Sequence, residues 1–103
     1  MKEINLKSAT DKDFQQLENK CIRAIKTDGS NSEITDAALY SISKIVGLEE
    51  LDLEWAVNIT DVGLGYLHAL PSLKYLDLSF CSNLSRGALD KLQSAINGLQ
   101  IES

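Results

Sequence analysis

Leu48-Glu49-Glu50-Leu51-Asp52-Leu53 leads through Trp55 and Ala56 to Ile59-Thr60-Asp61, and then to Leu64, Leu67 and Leu70. Twenty-five residues on, the same phrase returns as Leu73-Lys74-Tyr75-Leu76-Asp77-Leu78, followed by Cys81, Leu84-Ser85-Arg86, Leu89 and Leu92. Stepping back by the same interval gives Ile34-Thr35-Asp36 with Leu39 and Ile42, and once more Ala9-Thr10-Asp11 with Phe14 and Leu17. A fixed period in this range marks a solenoid, in which each unit buries its apolar face only against its neighbours. Proteins built that way act by presenting a surface.

One unit, residues 48–72, shows the physics. Leu51 and Leu53 alternate with Asp52 and Glu54, the period of a short strand with its leucines turned inward. Ala56 and Ile59 tuck into the core as the chain leaves the strand. Thr60 and Asp61 are placed to accept from the free N–H groups that open a helix. Leu64, Leu67 and Leu70 form its buried stripe, and Pro71 closes it. The neighbouring units repeat this with small edits. Ile22-x-x-Ile25-x-Thr27 is the preceding strand, with a climb one residue longer through Gly29 and Ser30. A helix runs from about Thr35 to Ile45, and another starts at Ser85 and carries Leu89, Leu92 and Ile96. Ile96-x-x-Leu99-x-Ile101 is a last, shortened strand. Ile4-x-Leu6 is a first strand, followed by a helix carrying Phe14, Leu17 and Cys21. The expected fold is α/β: about four strand–helix repeats in a single domain spanning residues 1–103. Parallel strands line the concave face and helices cover the convex face.

Leu73-x-x-Leu-Asp-Leu-Ser-x-Cys-x-x-Leu84, followed by Ser85, resembles a leucine-rich repeat of the cysteine-containing subclass, and Ile59-Thr-Asp-Val-Gly-Leu64 stands as that subclass writes it. The likeness is clear over residues 22–101 and weak over 1–21. It implies partner binding through the concave face, as in the repeat domains of F-box-type ubiquitin-ligase receptors, mitotic-exit antagonists, bacterial effectors and small mitochondrial assembly factors. The chain departs from the pattern in keeping only one rung cysteine, Cys81, with Ala56 and Ser30 in its place elsewhere. About twenty residues before the clear repeats are too few for an F-box-like segment, so ligase recruitment is not expected of this chain alone.

Composition narrows the partner. The 103 residues carry a formal charge of −5 with no Lys/Arg run, which argues against nucleic acid. No apolar stretch reaches membrane-spanning length and no secretory leader is evident, so a cytoplasmic protein is expected. Asn58-Ile-Thr60 and Asn83-Leu-Ser85 match the glycosylation pattern, at rungs where the repeat itself asks for an apolar residue followed by Thr or Ser. No cofactor, metal or catalytic site is expected. Cys81 reads as a buried ladder residue, and Cys21 as another, on the apolar side of the first helix or at its end. His68 is the only histidine and has no partner at ligand spacing. Gly63-Leu-Gly65 lacks the third glycine and the context of a phosphate loop.

The outward rows of successive strands carry the candidate site. They read Ala24, Glu50, Tyr75; then Lys26, Asp52, Asp77; then Asp28, Glu54, Ser79; and just beyond the strands Gly29, Trp55, Phe80. Asp52 over Asp77 places like charges about 4.8 Å apart, either solvated or awaiting a cation. Trp55 and Phe80 either fold over the edge to shield the core or present an apolar anchor to a partner. The expected partner-binding residues are Glu50, Asp52, Glu54, Trp55, Tyr75, Asp77 and Phe80, facing a protein with a basic and apolar surface. Two alternatives remain open. The chain is a self-assembling fragment that pairs through its last strand, Leu99-Gln100-Ile101, or it is the recognition part of a larger ligase-type or effector protein.

Overall fold

A computed structural model describes residues 2–103. The chain alternates strand and helix: β1 (Lys2–Leu6), α1 (Asp11–Gln15), β2 (Ile22–Thr27), α2 (Asp36–Ile42), β3 (Glu50–Asp52), α3 (Asp61–Tyr66) with a 3-10 turn at Leu67–Ala69, β4 (Tyr75–Asp77), α4 (Arg86–Ala95) and β5 (Gln100–Glu102). The five strands form one parallel sheet in the order β1-β2-β3-β4-β5. The helices also pack in chain order, α1 on α2, α2 on α3 and α3 on α4. Each strand–helix unit therefore rests on its sequence neighbours.

The register explains the periodicity. Glu50 lies beside Tyr75 and Tyr75 beside Gln100, while Leu51, Leu76 and Ile101 follow one row inward. Inward leucines of the strands join Leu39, Ile42, Leu64, Leu67, Leu92 and Ile96 of the helical side in one buried cluster. Burying a leucine or isoleucine of this kind contributes about 1.5–3 kcal/mol, which is why so short a strand as β3 holds its place. No described helix is long and apolar enough to cross a membrane.

Between β2 and β3 the register runs Ala24 to Glu50 and Ile25 to Leu51, a step of 26, whereas Ile34 and Ile59 are 25 apart. The extra residue is Ser30, which is exposed, and the rung expected for it belongs to Asn31, which is fully buried. Asn31 Nδ2 donates to Thr27 Oγ1 and to the Glu54 carbonyl, both at 2.8 Å. Two other expectations change. Helix α1 ends at Gln15, so Cys21 falls beyond it and is exposed. Ala24, read as an outward residue open to solvent, is buried. Arg23 bonds both Glu3 and Glu50, the residues paired with Ala24 on either side, and its guanidinium spans the alanine.

The helix starts are tied together across repeats. Thr35, Thr60 and Ser85 are N-caps, accepting from Ala37 N, Val62 N and Ala88 N. Asp61 does not cap its own helix as the sequence reading expected. Already inside the first turn, it reaches sideways and accepts from Ser85 N at 2.9 Å. Asp36 accepts from Thr60 N at 2.8 Å and from its hydroxyl, and Asp11 does the same for Thr35. Each carboxylate thus satisfies a free N–H of the next helix, which the first turn leaves without a partner. The ladder changes character at Thr10, which is capped by Asp13 of its own helix, and at Arg86, which stands where the other units carry aspartate.

Gly63 makes the central rung of this ladder possible. A Cβ there would collide with the Asp36 carboxylate and Leu39, whereas one at Gly65, on the same helix, meets nothing. Gly65→Ala is expected to stabilise the fold by about 0.5–1 kcal/mol through helix propensity. Gly63→Ala is expected to lower stability by about 1–3 kcal/mol despite the same gain. Urea unfolding of the two variants beside the wild type checks the opposite signs.

Candidate functional site

Strands β3 and β4 are three residues each, and their alternation turns Glu50, Asp52, Tyr75 and Asp77 to the sheet face away from the helices. Immediately afterwards the chain turns. Asp52 Oδ1 accepts from Glu54 N at 3.1 Å and Asp77 Oδ1 from Ser79 N at 2.9 Å, the side chain mimicking a backbone turn. After β2 the turn is held one and two positions later, Thr27 Oγ1 accepting from Gly29 N and Asp28 Oδ1 from Ser30 N. These turns deliver the next residues into left-handed backbone: Trp55 at φ 63°, Phe80 at φ 64° and Gly29 at φ 83°. Trp55 N donates to Ser79 O at 2.9 Å, fixing one turn on the next.

Charge on this face divides into two zones. Glu50 is committed: Arg23 and Lys26 both bond it, and that pairing holds its carboxyl below the usual range. Asp52, Glu54 and Asp77 form the second zone. One carboxylate oxygen from each lies within 4.8 Å of the others. None of the three takes part in an ion pair among the described residues. Repulsion, chiefly from Asp52, pushes the Glu54 carboxyl up from its ordinary value, with partial burial and Asp77 adding to it. Glu102 extends the row, in register with Asp77. Tyr75 stands half-buried beside them, its phenol pushed up first by burial and then by Asp77.

Trp55 and Phe80 stack on each other with ring centroids 4.3 Å apart and planes 11° from parallel. They are 50% and 59% exposed and lie outside the buried cluster, so they do not shield the core. Behind Trp55 sits Gly29, where even a Cβ would come no closer than 3.9 Å to the indole. Left-handed backbone is a genuine outlier for bulky residues and costs roughly 1–2 kcal/mol per residue. A stacked aromatic pair contributes about 0.5–1.5 kcal/mol in return. Stability alone gives no reason to place two aromatics at a rung where the β1 unit has Ser8 and the β2 unit Gly29.

The remaining candidates resolve differently. Cys81 is buried, its Sγ donates to Leu53 O at 3.1 Å, and burial pushes its thiol up to about 11. His68 is exposed on the helical side. Asn58 Nδ2 donates to Ser32 O at 2.7 Å and Asn83 Nδ2 to Val57 O at 2.6 Å, so both asparagines serve the stacking of adjacent units. Sequence reasoning missed Tyr40 and Tyr66, which meet edge-to-face at 5.5 Å on the helical surface, with Lys44 Nζ 4.8 Å from the Tyr40 ring centre. They are offset by one residue from the repeat, Tyr40 having Gly65 as its counterpart, so a search strictly at the period passes over them.

No model of a known protein family matches the chain, and comparison with curated proteins gives no significant match.

The raised Glu54 carboxyl has a defined consequence for stability. A carboxyl whose folded value exceeds its unfolded one favours folding most when protonated, and that contribution is lost as pH rises through the folded value. Glu54→Gln is therefore expected to unfold at higher denaturant concentration than the wild type at pH 7, with the difference shrinking as both are brought to acid. Equal midpoints at pH 7 would show that the three carboxylates do not repel.

Proposed function

We propose that this protein is a non-catalytic interaction module of the leucine-rich-repeat kind, a short solenoid that binds another protein. Its strands line the concave side, and binding uses that face together with the Trp55/Phe80 edge. The observation that carries the reading is the pair of exposed aromatics held in left-handed backbone at positions where the two preceding units have only Ser8 and Gly29. Strain of this kind persists where something other than stability retains it, and large aromatics are the residues most enriched in binding hot spots. The unpaired carboxylates Asp52, Glu54 and Asp77 beside them give the surface its sign, so the partner presents basic and apolar groups together. Tyr75 lies at the border of the patch. Glu50, already held by Arg23 and Lys26, takes a supporting part.

Catalysis has no comparable support. The Cys81 thiol is buried and protonated at neutral pH.

Replacing Trp55 and Asp52 together by alanine is expected to abolish partner capture while leaving the thermal midpoint nearly unchanged, because neither side chain belongs to the core and the turn bond lost with Asp52 is offset by relief of its repulsion with Glu54. Capture by the double variant at wild-type strength refutes the reading.

A further inference from the structure

Beyond the presence of a basic partner, the geometry bears on which cation the surface selects. The rings of Trp55 and Phe80 are stacked face to face. This is not a cage that surrounds an ammonium, and it leaves the far side of Phe80 flat and without an aromatic or cationic neighbour among the described residues. Such an open ring face offers an apolar side chain of the partner a surface to pack on.

The carboxylates add a second requirement. Asp52, Glu54 and Asp77 converge to within 4.8 Å but project from two strands and the turn between them. One group must satisfy several oxygens in different directions, and the five N–H donors of a guanidinium fork do this.

The protein already contains this solution on the same sheet face. Arg23 uses one terminal nitrogen on Glu50 and the other, at 3.0 Å, on Glu3, joining carboxylates of β3 and β1 across β2. One guanidinium thus neutralises two outward carboxylates on different strands. The lysine in that zone, Lys26, reaches only Glu50. The Asp52–Glu54–Asp77 zone has the same kind of acceptors and no paired cation among the described residues.

Resting on the interaction reading above, we infer that the recognised feature of the partner is an arginine flanked by apolar residues. Its guanidinium forks to Asp52 and Asp77, and the flanking apolar side chain packs on the Trp55/Phe80 pair. Lysine at that place fills the charge but loses the fork.

The test selects heptapeptides from a random displayed library on the immobilised protein. Fluorescein-labelled copies of the winners are then measured by polarisation against the wild type, Asp52→Asn/Asp77→Asn and Trp55→Gly/Phe80→Gly. The glycine variant keeps the backbone that Gly29 already adopts, and circular dichroism verifies its fold. The expected winners carry arginine beside an apolar residue, weaken at least tenfold when that arginine becomes lysine, and weaken at least tenfold on both protein variants. Winners that depend on the aromatics but bind equally well with lysine, or that lack a basic residue, overturn the arginine inference and leave the interaction reading standing. A selection with no winner dependent on Trp55 and Phe80 overturns both. Sedimentation of the unliganded wild type and glycine variants covers a second copy as occupant: self-association that the glycine substitutions abolish overturns the inference.

Discussion

The governing constraint is that a residue and its counterpart one unit later lie a single strand spacing apart, about 4.8 Å. Whatever one unit places at a rung, the next unit meets at close range. For leucine this is favourable, and Leu51, Leu76 and Ile101 form a continuous inward row. For aspartate the outcome depends on what the neighbour offers. At the helix starts, Asp36 faces the N–H and hydroxyl of Thr60, so the contact satisfies two donors. On the open sheet face, Asp52 faces Asp77, and the same spacing becomes repulsion. Stacking of like units therefore leaves aspartate compensated where it can reach a donor one residue off its own rung, as Asp36 reaches Thr60, and uncompensated where it meets its own counterpart, as Asp52 meets Asp77.

The polar ladder also decides which small residues are needed. Asp36 approaches α3 so closely that Gly63 has no room for a Cβ. The glycine in Ile59-Thr-Asp-Val-Gly-Leu64 is thus required by the neighbouring unit, with no phosphate involved. At the ends of the array the chemistry changes. Thr10 takes its cap from Asp13 within its own helix, and Arg86 supplies a cation where an acceptor would have to stand. Neither residue reproduces the bond that joins adjacent units inside the chain, so end-to-end association on the helical side has to use contacts of another kind.

Periodicity in the sequence made the alternation of strand and helix legible, together with the inward leucines and the rungs of Trp55 and Phe80. Hydrogen-bond partners were less legible, because a local reading assigns Asp61 to its own helix and only the stacked arrangement reveals the reach to Ser85. The exchange of Ser30 for Asn31 has a similar origin. Strand and helix rungs advance by different steps between β2 and β3, and only the backbone shows where the additional residue is absorbed. Glu50 looked as free as Asp52 because Arg23 sits off the rows being compared. The left-handed turn left a single trace in the sequence, Gly29, which gains meaning only once it is aligned with two aromatics.

That alignment separates the demands of fold from those of recognition. The turns after β3 and β4 are fixed by backbone bonds and by the Asp52 and Asp77 side chains, and they hold the following residue at positive φ. Glycine is the residue that suits such backbone best. A scaffold evolving for stability alone would drift toward glycine at 55 and 80 and toward mixed charge at 52, 54 and 77. This chain does the opposite at all five places, and they adjoin one another on one surface. Independent lapses in local stability have no reason to cluster, whereas the needs of a binding surface do: an apolar anchor, a fixed sign of charge and a backbone already held in place before the partner arrives.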